Sequence, residues 1–250
     1  MHRIRLISKL EINNSSVIKG KHYEGLRKVG SPDELALRYY NDGIDELIVM
    51  DAVASLYDRN SLTNVISELS KNIFVPVTVG GGIRTLDDIQ RALDAGADKV
   101  AINSHALRDP NFIEQSVRLF GSQAIVGSVV ARRNRNFWEA FIDNAKTRTL
   151  KDAVEWAKVL ESCGVGEILI SSIDKDGIGS GFDTSLIQQI AESVSVPVIA
   201  DGGAGTPEHI GQLCKAIKVD AVCVASMLHY RHSTVQEIKR YVKEQGFEVR

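Results

Sequence analysis

The sequence predicts an α/β fold, a single (β/α)8 barrel of the TIM type built from two similar (β/α)4 halves, and three observations carry that expectation. The first is a repeat. Val75-Pro76-Val77-Thr78-Val79-Gly80-Gly81-Gly82-Ile83-Arg84-Thr85 is echoed by Val196-Pro197-Val198-Ile199-Ala200-Asp201-Gly202-Gly203-Ala204-Gly205-Thr206. Each copy is a short apolar run that stops at glycines and gives way to a helical pattern, over residues 87–95 and 208–216. That is the pattern of a buried parallel strand, a tight turn and a helix. The second is that the match extends at a nearly constant offset. Pro76 and Pro197 lie 121 residues apart, as do Gly43-Ile44-Asp45-Glu46 and Gly164-Val165-Gly166-Glu167, and Asp98 to Ser104 matches Asp220 to Ser226 at 122. The third is length: 250 residues suit one such barrel. Two half-sheets closed on each other leave no exposed strand edges.

Eight strands follow at regular spacing, over residues 5–10, 46–51, 75–79, 99–102, 124–130, 167–172, 197–200 and 221–225. Helical patterns separate them, at 31–42, 61–70, 111–120, 150–162 and 184–194 besides the two after the glycine turns. Ser31 followed by Pro32 reads as an N-cap with proline at the first helical position. No linker interrupts the alternation, so residues 1–250 read as one domain. Two segments break the rhythm. Residues 11–30 form a long polar loop after strand one, and 132–149 a second after strand five, where 137–142 alternate enough for part of a hairpin over the barrel mouth. Both follow the carboxyl ends of strands, where barrels of this kind build their sites, and long loops there cover or recognise a ligand.

Composition narrows the partners. With 30 basic and 32 acidic residues the net charge is −2, so neither nucleic acid nor an anionic membrane has bulk electrostatic support. Cys163, Cys214 and Cys223 show no CxxC pairing, which argues for a reducing cytosol and against a metal site, and they read as small buried residues. No apolar run approaches the roughly 20 residues of a membrane span. The first ten residues lack the apolar core of a signal peptide, so the expected location is cytoplasmic.

Residue chemistry alone marks several positions. Glycines after a strand let backbone N–H groups crowd against an anion, so two copies predict two phosphate-binding corners. Asp51 and Asp174 end strands two and six at equivalent places, where a carboxylate takes a catalytic or orienting role or a structural one. Trp138 and Trp156 read as packing residues. His229-Tyr230 after strand eight either faces a ligand or serves as a structural hydrogen-bonder.

Lys19-Gly20, Val79-Gly80-Gly81-Gly82-Ile83-Arg84, Gly96-Ala97-Asp98-Lys99-Val100, Phe120-Gly121-Ser122-Gln123, Gly166-Glu167-Ile168-Leu169, Asp174-Lys175-Asp176-Gly177 and Gly202-Gly203-Ala204-Gly205 together resemble the cyclase subunit of imidazole glycerol phosphate synthase. They are closer to that family than to the sister isomerase of histidine synthesis. The resemblance implies a glutaminase docked at the amino-terminal face, releasing ammonia that crosses the barrel to a bis-phosphorylated ribulosyl substrate, with no cofactor and no metal. It places one phosphate corner at Gly82, Asn103 and Ser104, and the other at Asp176, Gly177, Gly203, Ala225 and Ser226, with Lys19 in a mobile loop as a clamp. It assigns an ammonia gate to Arg5, Glu46, Lys99 and Glu167, which otherwise is a plug left over from ancestry.

Departures from the family pattern concern the chemistry. Where the family uses two aspartates as acid and base, this chain has Glu11 and Val130, and Ile178 and Asp201 replace a threonine and a serine at the second corner. A displaced carboxylate and a missing one predict a crippled cyclase, while Asp201 adds negative charge beside a phosphate site. The resemblance extends to a divergent branch that supplies ammonia to a sugar amidotransferase in lipopolysaccharide synthesis. An authentic cyclase using Glu11 with another carboxylate, and a barrel that only activates its glutaminase, remain as alternatives.

Overall fold

The computed structural model describes residues 3–52, 54 and 62–250. Its strands are β1 (Arg5–Asn13), β2 (Ser16–Lys21), β3 (Glu24–Gly30), β4 (Glu46–Asp51), β5 (Val77–Gly80), β6 (Lys99–Ile102), β7 (Ile125–Asn134), β8 (Phe137–Ile142), β9 (Thr147–Asp152), β10 (Glu167–Ser172), β11 (Val198–Asp201) and β12 (Ala221–Val224). Its helices are α1 (Pro32–Asn41), α2 (Thr63–Leu69), α3 (Leu86–Asp94), α4 (Ser104–Arg108), α5 (Asn111–Phe120), α6 (Ala153–Ser162), α7 (Thr184–Ser193), α8 (Pro207–Ala216), α9 (Ser226–His229) and α10 (Val235–Glu244). Strands β1, β4, β5, β6, β7, β10, β11 and β12 pair in parallel in that order and β12 returns to β1, closing the barrel. The predicted fold class is the one observed.

Strand alternation divides the side chains between two cores. On β1, Leu6, Leu10 and Ile12 face the helices in the main core. Ile7 points inward, into a layer with Ile48, Ala101, Val126, Leu169, Ile199, Ala221 and Cys223. The inward row of β1 therefore reads Arg5, Ile7, Lys9, Glu11, running from one end of the barrel to the other.

Several boundaries shift for physical reasons. The strands expected from residues 75 and 197 begin at Val77 and Val198, because Pro76 and Pro197 have no N–H to donate to the ladder. Strand eight ends at Val224, before 225. Residues 150–152 belong to β9 rather than to the following helix, whose N-cap is Asp152, its carboxylate accepting from the Val154 and Glu155 amides. Ser31 does sit at the N-cap of α1, but its side chain makes no capping bond, and Pro32 opens the helix. The helix expected over 61–70 spans Thr63–Leu69, and Ser61 lies outside the described residues.

The larger correction concerns the two supposed loops. Residues 11–30 are mostly strand: β1 runs on to Asn13 and β2 and β3 form an antiparallel hairpin. Ile12, Val17 and Ile18 are all buried there, so apolar burial drives the pairing. After strand five, β7 continues past the barrel rim and pairs with β8, which pairs with β9. Among the described residues no helix is long and apolar enough to cross a membrane.

Candidate functional site

At the carboxyl end of the barrel, the first glycine turn makes an open corner. Gly81 has φ +92°, and a Cβ on it would lie 2.3 Å from the Asp51 carbonyl oxygen, so only glycine lets this turn pack against the end of β4. Asp51 is buried, and its Oδ1 accepts from the Ala54 amide at 2.9 Å. Asn103 donates from Nδ2 to the Phe141 carbonyl at 3.1 Å, while its buried Oδ1 has no partner. Ser104 Oγ accepts from the Asp143 amide at 2.9 Å, which leaves its hydroxyl proton available to a ligand. Asp143 is gripped in turn by Arg108 at 2.8 and 2.6 Å. The β7–β8–β9 extension thus builds one wall of the corner. Gly82, Asn103, Ser104, Asp51 and Glu11 all line one cavity of about 110 Å³.

The second corner is built differently. Asp176, Gly177, Gly203, Ala225, Ser226, Asp201 and Lys19 do converge, but on a hollow of about 10 Å³, space for roughly one water. Lys19 is not in a mobile loop: it lies on β2, is 3 % exposed, and bridges Glu11 at 2.7 Å and Asp176 at 2.6 Å. The hairpin is pressed onto this corner. The His22 amide donates to the Asp176 carbonyl at 2.9 Å, and a Cβ on Gly177, at φ +69°, would lie 2.0 Å from the Gly20 carbonyl oxygen.

Nor does Asp201 add an unbalanced charge. Its carboxylate is bonded to the Lys9 ammonium and accepts from Ser171 Oγ at 2.6 Å. Lys9, 3 % exposed and 3.3 Å from Glu11, is the functional residue that the sequence reading missed. A lysine in mid-strand, at the inward position next after the apolar Ile7, is the signal the sequence offers.

This network fixes the protonation of its members. Burial pushes the Glu11 carboxyl up, but the Lys19 and Lys9 ammoniums outweigh it and hold the group at about 2. Burial and the neighbouring Glu11 raise Asp176 against the opposing pull of Lys19. Burial opposes the charge on Lys9, yet Asp201 and its neighbours raise it well above the ordinary lysine value.

The remaining candidates separate. Val130, 8 % exposed, packs with Tyr23, Phe141 and Ile173, so β7 presents an apolar patch where Glu11 would need an acid–base partner. Asp174 lies at the rim, accepting from the Arg133 amide at 2.7 Å and pairing with Arg132 at 3.8 Å. It therefore tethers the extension, and of the two equivalent aspartates only Asp51 borders the cavity. Ile178 is partly exposed. His229 Nδ1 meets Tyr39 Oη at 2.7 Å, and burial pushes its imidazole down to about 4, which leaves it a neutral structural group. Trp138 and Trp156 are buried packing residues, and the three cysteines are buried thiols.

The opposite end of the barrel carries a closed ring of ion pairs. Arg5 reaches Glu46 at 2.9 Å and Glu167 at 2.8 Å, and Lys99 reaches Glu167 at 2.9 Å and Glu46 at 3.5 Å. Each cation touches both anions, which offsets the desolvation of four charges at a barrel end. Desolvation works against the Arg5 charge, but Glu167 and Glu46 still raise it above the ordinary arginine value.

The chain is thus a (β/α)8 barrel with a closed ring of ion pairs at one end and two glycine-turn corners at the other. Residues 5–234 match the family described as histidine biosynthesis protein, and the chain belongs to it. It is 42 % identical over 246 residues to a protein of Dehalococcoides mccartyi named imidazole glycerol phosphate synthase subunit HisF, covering 98 % of the chain and 97 % of that relative. A Legionella pneumophila protein of the same name is 50 % identical over 209 residues, 83 % of the chain and 99 % of the relative.

Proposed function

We propose that this chain is a HisF-like barrel subunit that receives ammonia from a glutaminase docked at the amino-terminal face and has given up ring closure. The observation that carries the reading is a contrast. The ring of Arg5, Glu46, Lys99 and Glu167 is complete and mutually paired, whereas the opposite face lacks the proton-transfer pair. A general base works best with a pKa near the working pH; Glu11 at about 2 is far too weak. Val130 cannot carry a proton. Asp176 and Asp201, which share Lys19 and Lys9 with Glu11, are tied up in ion pairs, and Asp51, the other carboxylate of the cavity, accepts from the Ala54 amide.

On this reading the ammonia leaves for an acceptor held by another enzyme, a sugar amidotransferase serving a lipopolysaccharide sugar. The support is indirect: a conduit without cyclase chemistry still has a use where the acceptor lies elsewhere. The second reading, a cyclase/lyase of histidine biosynthesis, is favoured by the names of the relatives and by the presence of Glu11 at the cavity.

Steady-state turnover with the bis-phosphorylated ribulosyl substrate and ammonium salt separates the two, because free ammonia bypasses any partner. Turnover at least ~100-fold below a family member with carboxylates at both positions is expected. A rate within about threefold of such an enzyme would sink the proposal.

A further inference from the structure

The internal repeat predicts two equivalent anion corners, and the structure breaks that equivalence. The first corner opens into a cavity of about 110 Å³; the second is a hollow of about 10 Å³. What fills the second is the chain itself. Lys19 Nζ occupies the space between Glu11 and Asp176, at 2.7 and 2.6 Å, and the Gly20 carbonyl sits directly on Gly177. Tyr23 adds a backbone donor to Asp176 Oδ2 at 3.3 Å. The other acidic group at this corner, Asp201, is bonded to Lys9.

The charge count decides what could enter. Three carboxylates, Glu11, Asp176 and Asp201, face two ammoniums, Lys9 and Lys19, all with side chains less than a tenth exposed. A phosphate dianion at this corner would have to pull Lys19 away from two carboxylates and then lie against Asp176 and Asp201 with no cation to spare. Breaking buried pairs of this kind and leaving an uncompensated carboxylate is costly. At the first corner the conditions are reversed. Ser104 has a free hydroxyl proton, the Gly81-Gly82 turn borders the cavity, Arg84 and Arg108 line it, and its two carboxylates are engaged elsewhere, Glu11 by Lys9 and Lys19 and Asp51 by the Ala54 amide.

We propose that the second corner is an internal ionic lock rather than a phosphate site, so that the mouth takes a ligand with a single phosphoryl group, seated at Gly82, Asn103 and Ser104. The other end of that ligand carries no phosphoryl group. The inference rests on the proposed function in that it names the ligand class of the same mouth, and it accounts for a loss of the bis-phosphorylated substrate in addition to the loss of a base.

Calorimetric titration of the full chain with inorganic phosphate tests it. One site per chain is expected, and Ser104→Glu, which sets a carboxylate in the open corner, should lower the affinity at least tenfold with no second site emerging. Retention of the parent circular dichroism and melting temperature shows that the variant is folded. A titration giving two sites, a Ser104→Glu chain that still binds one phosphate at near parental affinity, or no binding by the parent would each overturn the inference. One site together with full cyclase turnover would sink only the proposed function, and two sites without turnover only the ionic lock.

Discussion

Replacing Glu11 with Gln tests the network at its centre, since it keeps the size of the side chain, removes the charge and turns one of the two oxygens that accept from Lys9 and Lys19 into a donor. The carboxyl is held at about 2 against an ordinary value of 4.5, and its side chain is only 9 % exposed. A depressed carboxylate contributes stability above its unfolded pKa and loses it as the pH falls through the folded one. This separation corresponds to roughly 3 kcal/mol at pH 7, falling to about half of that or less at pH 3. The variant should therefore be less stable by about 2–3 kcal/mol at neutral pH, a lowering of the melting temperature by roughly 4–12 °C for a chain of this size. Urea unfolding followed by circular dichroism at pH 7 and pH 3 reads both numbers. A gap that is equal at the two pH values, or below about 1 kcal/mol at pH 7, would show that Lys9 and Lys19 do not hold Glu11 as the geometry indicates.

Val130→Asp puts back a carboxylate on β7, but against Tyr23, Phe141 and Ile173. It should destabilise by about 2–4 kcal/mol at pH 7 and by less at pH 4, where the new acid is neutral, as urea unfolding will show. Lys99→Leu removes the cation that bridges Glu46 and Glu167; glutamine-driven amidation by the complex should drop while amidation at high external ammonium stays near the parent level. Equal activities in both assays would make the ring a plug. All three cysteines are buried and their thiols are raised by burial, Cys214 to about 11. Ellman's reagent at pH 8 should leave them largely unmodified until the chain is denatured, and rapid reaction of the native protein would contradict the packing.

The barrel was legible because its signals are local or periodic. Strand β4, β6 and β10 boundaries follow from apolar runs bounded by charge at one end and turn residues at the other, and the repeat doubled each of those signals. The strand starts at Val77 and Val198 are also visible in the sequence, because Pro76 and Pro197 lack an N–H. The hairpin of β2 and β3 was not so visible. Its outer strand is a mixed, largely exposed run, GluGlyLeuArgLysValGly, whose register is set by β2 and not by its own alternation.

The site divides along the same line. Arg5, Glu46, Lys99 and Glu167 are assigned to one ring by the family resemblance, and the structure pairs these four residues at the barrel end. The ionic lock could not be read this way. Lys19 meets Asp176 across 157 residues and Lys9 meets Asp201 across 192, and neither partner lies at a matching place in the two halves. A repeat predicts only what the halves share, and it assigned equal anion corners to both. The asymmetry comes from residues that the halves do not share: the strand β2 lysine, an inward lysine on β1, and the β11 aspartate that it faces, Asp201, where the first copy of the motif has Gly80. Charge placed by non-repeated residues on a repeated scaffold is thus what separates a corner that can accept an anion from one that supplies its own counter-ions.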